Sequence, residues 1–276
     1  MFTTNPFTLL TAFVSPEFMQ GYIVLLILAV LVGTGFDLLH NGKARFFLQD
    51  RQRARAAAKR QLGGKERVAI AAKTLVTDIA TFGEFCNRSR RISHVLMFYG
   101  FVLYLITTLV MVFGYPTDPH PPVILTVLWN LGVLLALIGG YWFFFLLRVN
   151  VVHDGQPPWR LVRADLFIVT LLGSLTFALL FEWAAMAGSV TSTKVFAGLY
   201  LLFTTLLCVS VPWSKFAHMF YKPVVAFQKR VEEADGSSSL PTPTAPRGER
   251  CPQSHTRRAA MVAASAWISV RPTSCT

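Results

Sequence analysis

The chain has 276 residues, of which 53% are hydrophobic and only 14% charged, and its mean hydropathy is +0.49. This composition is typical of an integral membrane protein and excludes an ordinary soluble domain. Lysine and arginine outnumber aspartate and glutamate by 26 to 14, giving a formal net charge of +12. Such an excess can indicate nucleic-acid binding. Here the basic residues lie between apolar stretches, where they orient a membrane protein and contact anionic lipid, so we expect membrane lipid and no nucleic acid as a partner.

Five apolar stretches have about the length, roughly 20 residues, that a helix needs to cross a bilayer core. The helix of the fifth is expected to continue past Pro212 to His218. The sequence therefore predicts an all-α integral membrane protein, a five-transmembrane-helix bundle within residues 21–230. The predicted spans are residues 21–39, 92–113, 123–147, 165–187 and 195–211.

The segments outside the bundle have different compositions. Residues 1–20 are broken by Pro6 and Pro16 and contain no lysine or arginine, so we expect an interfacial segment rather than a secretory signal. Residues 231–276 become rich in Ser, Pro, Thr, Gly and Arg, which predicts a disordered cytoplasmic tail. The four cysteines form no C-x-x-C pair, so the sequence indicates neither a disulfide framework nor a thiolate-bound cluster.

A long basic loop, residues 40–92, separates the first and second spans and carries half of the chain's lysines and arginines. Residues 51–62 favour a helix, and Gly63-Gly64 interrupts it. From Lys65 to Ile79 the apolar residues recur at helical spacing on one face, which indicates a second short helix along the membrane or against a partner. A solvated basic loop is the other interpretation. The residues of that face are Val68, Ala72, Leu75 and Ile79.

The distribution of positive charge predicts the topology. With five spans the two ends of the chain face opposite sides, and only Lys194 falls on the side of the N-terminus. Because lysine and arginine mark the cytoplasmic side, we expect the N-terminus outside, and the basic loop and C-terminal region in the cytoplasm.

Two histidines are expected at the same depth of the bundle. His94 lies near the start of the second span and His218 near the end of the fifth, and these spans run in opposite directions. Two such imidazoles fit the axial positions of a haem iron, whereas either one alone is better read as facing lipid headgroups. Arg91 and Arg90 precede His94 by three and four residues, and Lys215 precedes His218 by three. These spacings lie on or beside the histidine face and suit haem propionates.

The remaining polar residues near the spans have simpler interpretations. His40 and His153 could bind a second haem, but both border polar loops and are expected to be solvated. His120 lies between two prolines and is expected in a loop. Asp165 is predicted to cap the fourth span. Glu182 lies near the outer face and could relay a proton, but a helix-end carboxylate that faces water is the favoured interpretation.

Three pieces of the sequence resemble a known superfamily over about residues 20–230. They are Arg91-Ile92-Ser93-His94 followed by Phe98-Tyr99-Gly100-Phe101, then Asp165 and Glu182 across the fourth span, and Ser214-Lys215-Phe216-Ala217-His218 followed by Pro223. They resemble the five-span cytochrome b subunits of respiratory nitrate reductase (gamma subunit) and related membrane subunits of heterodisulfide reductase and dissimilatory sulfite reductase complexes. Those subunits hold two stacked b haems. The outer ligand pair would fall here at Tyr104 or Leu105 and at Tyr200, so the resemblance implies one haem b, on the cytoplasmic side.

The closest likeness is to the membrane anchor subunits associated with adenylylsulfate (APS) reductase. It implies an electron-transfer subunit, not catalytic by itself, in a bacterial or archaeal cytoplasmic (inner) membrane. Such a subunit connects cytoplasmic iron–sulfur and flavin subunits of sulfur metabolism with quinone, here near Tyr99 or Trp213. A haem-free membrane anchor or assembly subunit of a respiratory complex is the alternative. A small transporter is disfavoured because the spans hold few polar residues and no internal repeat.

Overall fold

The computed structural model describes residues 4–11, 13–40, 43–82, 87–148, 161, 165–211 and 218–238. The side chains of residues 43–46, 78–79 and 218–222 are not part of this description. The predictions for His153, Trp213, Lys215 and the tail after residue 238 therefore lie outside the described residues.

Every regular element in these ranges is helical, and five of the helices are long and apolar enough to cross a membrane. These five are α1, α4, α5, α6 and α7, and they confirm the five predicted spans. Helices α3 and α5 continue as π-helical segments, Leu75–Ala80 and Phe143–Leu147. The helices are α1 (Pro16–His40), α2 (Lys43–Ala56), α3 (Gly64–Thr74), α4 (Arg88–Gly114), α5 (Val123–Trp142), α6 (Leu166–Met186), α7 (Val190–Val209) and α8 (His218–Asp235).

Helices α4, α5, α6 and α7 pack in chain order as antiparallel neighbours, and α1 packs against both α7 and α4. The Tyr141 and Thr176 hydroxyls join α5 to α6 at 2.9 Å, and the Tyr22 hydroxyl donates to the carbonyl of Leu201 across α1 and α7. Such polar contacts are effective between apolar helices because lipid offers no other partner.

We call the two ends of the bundle the basic end (His40, Arg88, Leu147, Leu166 and Val209) and the opposite end (Pro16, Gly114, Val123, Met186 and Val190).

Glycines allow α4 and α5 to approach closely. A Cβ on Gly139 would lie 2.7 Å from the amide nitrogen of Met97, and one on Gly132 would lie 2.7 Å from that of Tyr104. The Ser93 hydroxyl donates a hydrogen bond of 2.8 Å to the carbonyl of Gly139 in the same interface. Small residues at such positions permit backbone contact between membrane helices, and here they set the position of α4 relative to α5.

The N-terminal segment packs across the opposite end of the bundle. The side-chain amide of Asn5 is fully buried and donates to the carbonyl of Tyr115 at 3.0 Å. Phe7 packs edge-on against Trp129 with ring centroids 6.0 Å apart, and Leu10 is also buried. The sequence predicts an interfacial segment here, and the structure adds that three of its side chains belong to the core.

Helix α7 ends at Val209, and a separate helix begins at His218. The prediction of one continuous helix through Pro212 to His218 is therefore wrong. Proline has no amide hydrogen and disfavours the α-conformation in the residue before it, which accounts for the departure from α-helix at Ser210 and Val211. Helix α8 extends to Asp235, so residues 231–235, which the composition assigns to the tail, are helical.

The basic loop contains two helices, as its sequence indicates, and α3 begins at the predicted break. Helix α2 covers Lys43–Ala56 rather than residues 51–62, so the predicted bounds of the first helix are wrong. Helix α3 packs against α8. The carbonyl of Asp235, at the end of α8, accepts hydrogen bonds from the amides of Lys59 and Arg60. These contacts assemble α2, α3 and α8 into one helical layer at the basic end.

Candidate functional site

His94 lies in the second turn of α4, at the basic end, and is half-buried. Its imidazole packs near two aromatic rings. The Phe143 centroid is 5.1 Å away at 56°, and the Phe82 centroid is 6.4 Å away at 23°. The predicted ligand therefore lies among apolar rings at the end of a membrane helix rather than in open solvent.

Phe82 has an uncommon backbone conformation. Its φ is 49°, the only positive φ of a non-glycine residue within the described ranges. Its ring also packs edge-on against Phe98, with centroids 5.4 Å apart. A bulky residue in the left-handed region costs free energy and is retained where its surroundings fix it, often at functional sites. This conformation could not be predicted from the sequence, because phenylalanine has no preference for a positive φ.

Two hydrogen bonds fix the segment before Phe82 to α4. The Tyr99 hydroxyl donates to the carbonyl of Ala80 at 2.9 Å, and Nε of Arg91 donates to the carbonyl of Thr81 at 2.7 Å. The end of the basic loop is thereby held beside His94. The hydroxyl of Tyr99, a residue expected near a quinone, is engaged in this contact.

The arginines expected to bind propionates are exposed and contact backbone carbonyls. Arg91 binds Thr81 as described, and Nη2 of Arg90 donates to the carbonyl of Leu147 at 3.0 Å. Arg90 thus joins the start of α4 to the end of the α5 extension. Neither guanidinium contacts an anionic group among the described residues, and the role of both arginines with a haem stays a prediction.

The second predicted ligand, His218, is described only through its backbone. It is the first residue of α8, and its side chain lies outside the description, as does all of Lys215. Helix α8 contacts the π-helical extension of α3, whose last residue, Ala80, accepts the Tyr99 hydrogen bond. His94 and α8 therefore share a neighbouring segment, while the pairing of His94 with His218 stays a prediction.

Tyr104 and Tyr200 occupy the positions at which the resemblance would place an outer ligand pair. Their hydroxyls are hydrogen-bonded at 2.8 Å, and both residues are buried. Two side chains in direct contact leave no room for a planar cofactor between them. They serve instead as a polar bridge between α4 and α7.

Glu182 is buried, with 2% exposure, so the prediction that it faces water is wrong. Helix α6 continues a full turn beyond it to Met186, and its carboxyl group points toward α5, where Nδ2 of Asn130 donates to Oε1 at 3.3 Å. The sequence shows only that Glu182 lies close to the end of a span. It does not show which face of an almost uniformly apolar helix carries it.

Asp165 occupies the N-cap position of α6 but makes no capping hydrogen bond with its side chain. It forms an ion pair with Arg148, and the two side chains are only 10% and 7% exposed. The Arg148 guanidinium also lies 4.5 Å from the centre of the Phe144 ring. The predicted cap is therefore a buried charge pair that joins the end of α5 to the start of α6. Arg148 appears in the sequence only as one of several basic loop residues.

The other described histidines have the surroundings expected of solvated residues. His40 is exposed and stacks on Phe36 with centroids 4.8 Å apart, and His120 is exposed in the loop before α5. The described part of the chain contains no group of three or more His, Cys, Asp or Glu residues able to hold a metal ion.

The helical layer at the basic end presents positive charge around a small cavity. Arg51 and Arg55 of α2 and Arg67 of α3 line it together with Phe227 and Asp235 of α8. Three guanidinium groups against one carboxylate make the local charge positive.

The apolar face predicted for α3 is uncovered. Val68 and Leu75 are 69% and 58% exposed. This face is therefore available to a membrane surface or to another protein.

No family model, curated protein or solved structure matches the chain. The resemblance to membrane cytochromes b rests on the sequence pieces alone.

Proposed function

We propose that this protein is a membrane-anchoring b-type cytochrome subunit that transfers electrons between a cytoplasmic redox enzyme and the quinone pool. It would lie in a bacterial or archaeal cytoplasmic membrane with the N-terminus outside and the basic end in the cytoplasm, because the basic end carries nearly all of the positive charge.

The surroundings of His94 carry this proposal. An imidazole among aromatic rings, at the end of an apolar helix, combines a haem-iron donor with the apolar surroundings that a porphyrin needs. The strained backbone of Phe82 beside it supports a functional role. When bound, haem b would supply one-electron chemistry, and the protein would supply ligands, orientation and the local field.

The roles proposed for the chain's own residues follow from their positions. His94 and His218 would be the axial ligands, and Arg90, Arg91 and Lys215 would bind the propionates. Arg90 and Arg91 now donate to neutral carbonyls. A carboxylate is a stronger acceptor for a guanidinium than a carbonyl, so an exchange of partners would be favourable.

The hydrogen bond between Tyr104 and Tyr200 supports one haem, at the basic end, rather than two. Tyr104 and Tyr200 fill the position of an outer ligand pair with their own hydrogen bond. Electrons would then enter and leave on the same side of the membrane, with quinone near Tyr99 or Trp213. Turnover would move little charge across the bilayer.

The partner proposed for the basic end is a soluble redox enzyme with flavin and iron–sulfur subunits, of the APS reductase class. The positive cavity lined by Arg51, Arg55 and Arg67 suits an acidic protein surface. Such a contact weakens at high salt, because exposed charges are screened.

A reduced-minus-oxidised absorption spectrum of the purified protein tests the proposal. We expect a low-spin b-type signal that is lost in both His94→Ala and His218→Ala. His120→Ala is the matched control, since this histidine is exposed in a loop at the opposite end and should leave the spectrum unchanged. A wild-type protein that carries no haem when produced with ample haem supply would refute the proposal.

A haem-free membrane anchor is the second candidate, and one observation favours it. Arg90 and Arg91 already have backbone acceptors, and Phe82 and Phe143 pack near the imidazole of His94. In this case His94 would be a structural residue, and His94→Phe would keep both the fold and the association with the partner. If the protein is a cytochrome, His94→Phe would instead abolish the haem spectrum and the electron transfer to quinone.

A further inference from the structure

We propose that Glu182 is a proton-binding site in the half of the bundle nearest the opposite end, where its carboxyl group is held in the neutral, protonated form. The proposal concerns a residue that the haem hypothesis does not use, and it holds whether or not the protein binds haem. It depends on the burial of the carboxyl group, on its hydrogen bonding and on the charges around it.

The hydrogen bonding of the carboxyl group is incomplete. Oε1 accepts from Nδ2 of Asn130 at 3.3 Å, and the same amide group donates to the carbonyl of Thr126 at 3.1 Å. Oε2 is buried and has no hydrogen-bond partner among the residues that the structure describes. An ionised carboxylate needs hydrogen-bond donors at both oxygens, whereas a protonated one carries an O–H donor and no charge. A buried neutral group without a partner costs less free energy than a buried charge without one. One neutral donor is a poor substitute for the hydration of a negative charge.

No described cation is positioned to balance a charge on Glu182. Lys194 is the only lysine or arginine in α5, α6 and α7, and its ammonium group lies 4.8 Å from the centre of the Phe13 ring. The segment 4–11 and the last three turns of α4 contain no charged residue, and Asp118 and His120 in the loop before α5 are exposed. Glu17 in the first turn of α1 is itself acidic and exposed. The positive charge of the N-terminal amino group, which lies outside the described residues, favours ionisation of Glu182, but more weakly than burial opposes it.

The position of Glu182 determines which side can supply the proton. It precedes the end of α6 at Met186 by four residues, about 6 Å along the helix axis, and follows the start at Leu166 by sixteen, about 24 Å. Burial of an ionised carboxylate without a partner costs several kcal/mol, and proton uptake avoids this cost. Glu182 therefore takes its proton from the opposite end and retains it at neutral pH.

Labelling with dicyclohexylcarbodiimide, an apolar reagent for protonated carboxyl groups, tests the proposal on the full chain in detergent or vesicles. We expect an adduct at Glu182, located by mass spectrometry at neutral pH and lost in Glu182→Gln. Glu17 is the matched control, because it lies at the same end but is exposed, and it should react with a water-soluble carbodiimide instead. Labelling of Glu182 by the water-soluble reagent but not by the apolar one would overturn the proposal.

Infrared spectroscopy supplies a second readout that does not depend on reagent access. The wild type should show the carbonyl band of a buried carboxylic acid at neutral pH, and Glu182→Gln should lose it. Asn130→Leu removes the donor to Oε1 and should shift the band to higher frequency. A carboxylate band that disappears in Glu182→Gln would contradict the proposal, as would a strong loss of thermal stability in this nearly isosteric variant.

Discussion

The buried ion pair between Arg148 and Asp165 offers the sharpest test of the packing at the basic end. The two side chains are 7% and 10% exposed, and they join the end of the α5 extension to the start of α6. Removing one member of such a pair leaves an uncompensated charge and typically costs about 3–5 kcal/mol. We expect Arg148→Met to lower the free energy of unfolding by about 3 kcal/mol. This is the lower limit of that range, because the pair lies near a helix end that water can approach.

Replacement of the other member of the pair, Asp165→Asn, should lower the free energy of unfolding by at least as much. In Asp165→Asn the guanidinium remains charged, because arginine does not lose its proton in proteins, whereas the aspartate that remains in Arg148→Met can gain one. The double variant Arg148→Met with Asp165→Leu replaces both charges by apolar side chains. Such replacements often change stability little, so we expect the free energy of unfolding of the double variant to lie within about 1 kcal/mol of that of the wild type.

Unfolding by SDS titration in mixed micelles, followed by circular dichroism, measures these free energies. Arg60 and Glu66 form the matched control pair, with a separation of 3.2 Å and side-chain exposures of 60% and 48%. Arg60→Met should cost less than about 1 kcal/mol, because an exposed pair gains little in water. If Arg148→Met and Arg60→Met cost the same, the reasoning from burial is refuted.

Variants at three further sites can be measured in the same assay. Tyr104→Phe and Tyr200→Phe should each cost about 1 kcal/mol, and the double variant should cost about as much as either, because both singles break the same hydrogen bond. Gly139→Leu should destabilise by about 2 kcal/mol or more, since its Cβ alone would meet the backbone of α4, and Gly21→Leu, which meets nothing, is its control. Asn87→Ala should cost about 1 kcal/mol through loss of the N-cap, whose side chain accepts hydrogen bonds from the first turn of α4.

The membrane spans could be predicted because their physical cause is local. A backbone in lipid must satisfy its own hydrogen bonds, so an apolar run of sufficient length has to be helical. The start of α5 at Val123 follows from the prolines just before it. The end of α7 could also be predicted, because Pro212 favours a helix end just before it. The expectation of a continuous helix neglected this effect.

The orientation of individual side chains could not be predicted, because apolar helices give little indication of which face is inward. Glu182 faces α5 and is buried, although its sequence neighbours would suit a lipid-facing position equally well. Arg148 pairs with a residue 17 positions away in the chain, and Phe82 packs against His94 and Phe98 of α4. Each of these features depends on packing between elements that are distant in the chain.

The polar contacts along the bundle differ in kind between its two ends. At the basic end the groups are charged or strained: the ion pair of Arg148, the exposed guanidinium of Arg91 and the backbone of Phe82 beside His94. Toward the opposite end they are neutral, direct and buried, as in the contacts of Tyr104 with Tyr200, of Trp129 with Thr108 and of Asn5 with Tyr115. A cofactor inserted at the opposite end would have to break these contacts and leave buried groups unsatisfied, at a cost of about 1–3 kcal/mol each. At the basic end a ligand could instead replace backbone carbonyls as the partner of exposed arginines, which is why we assign binding and electron transfer to that end.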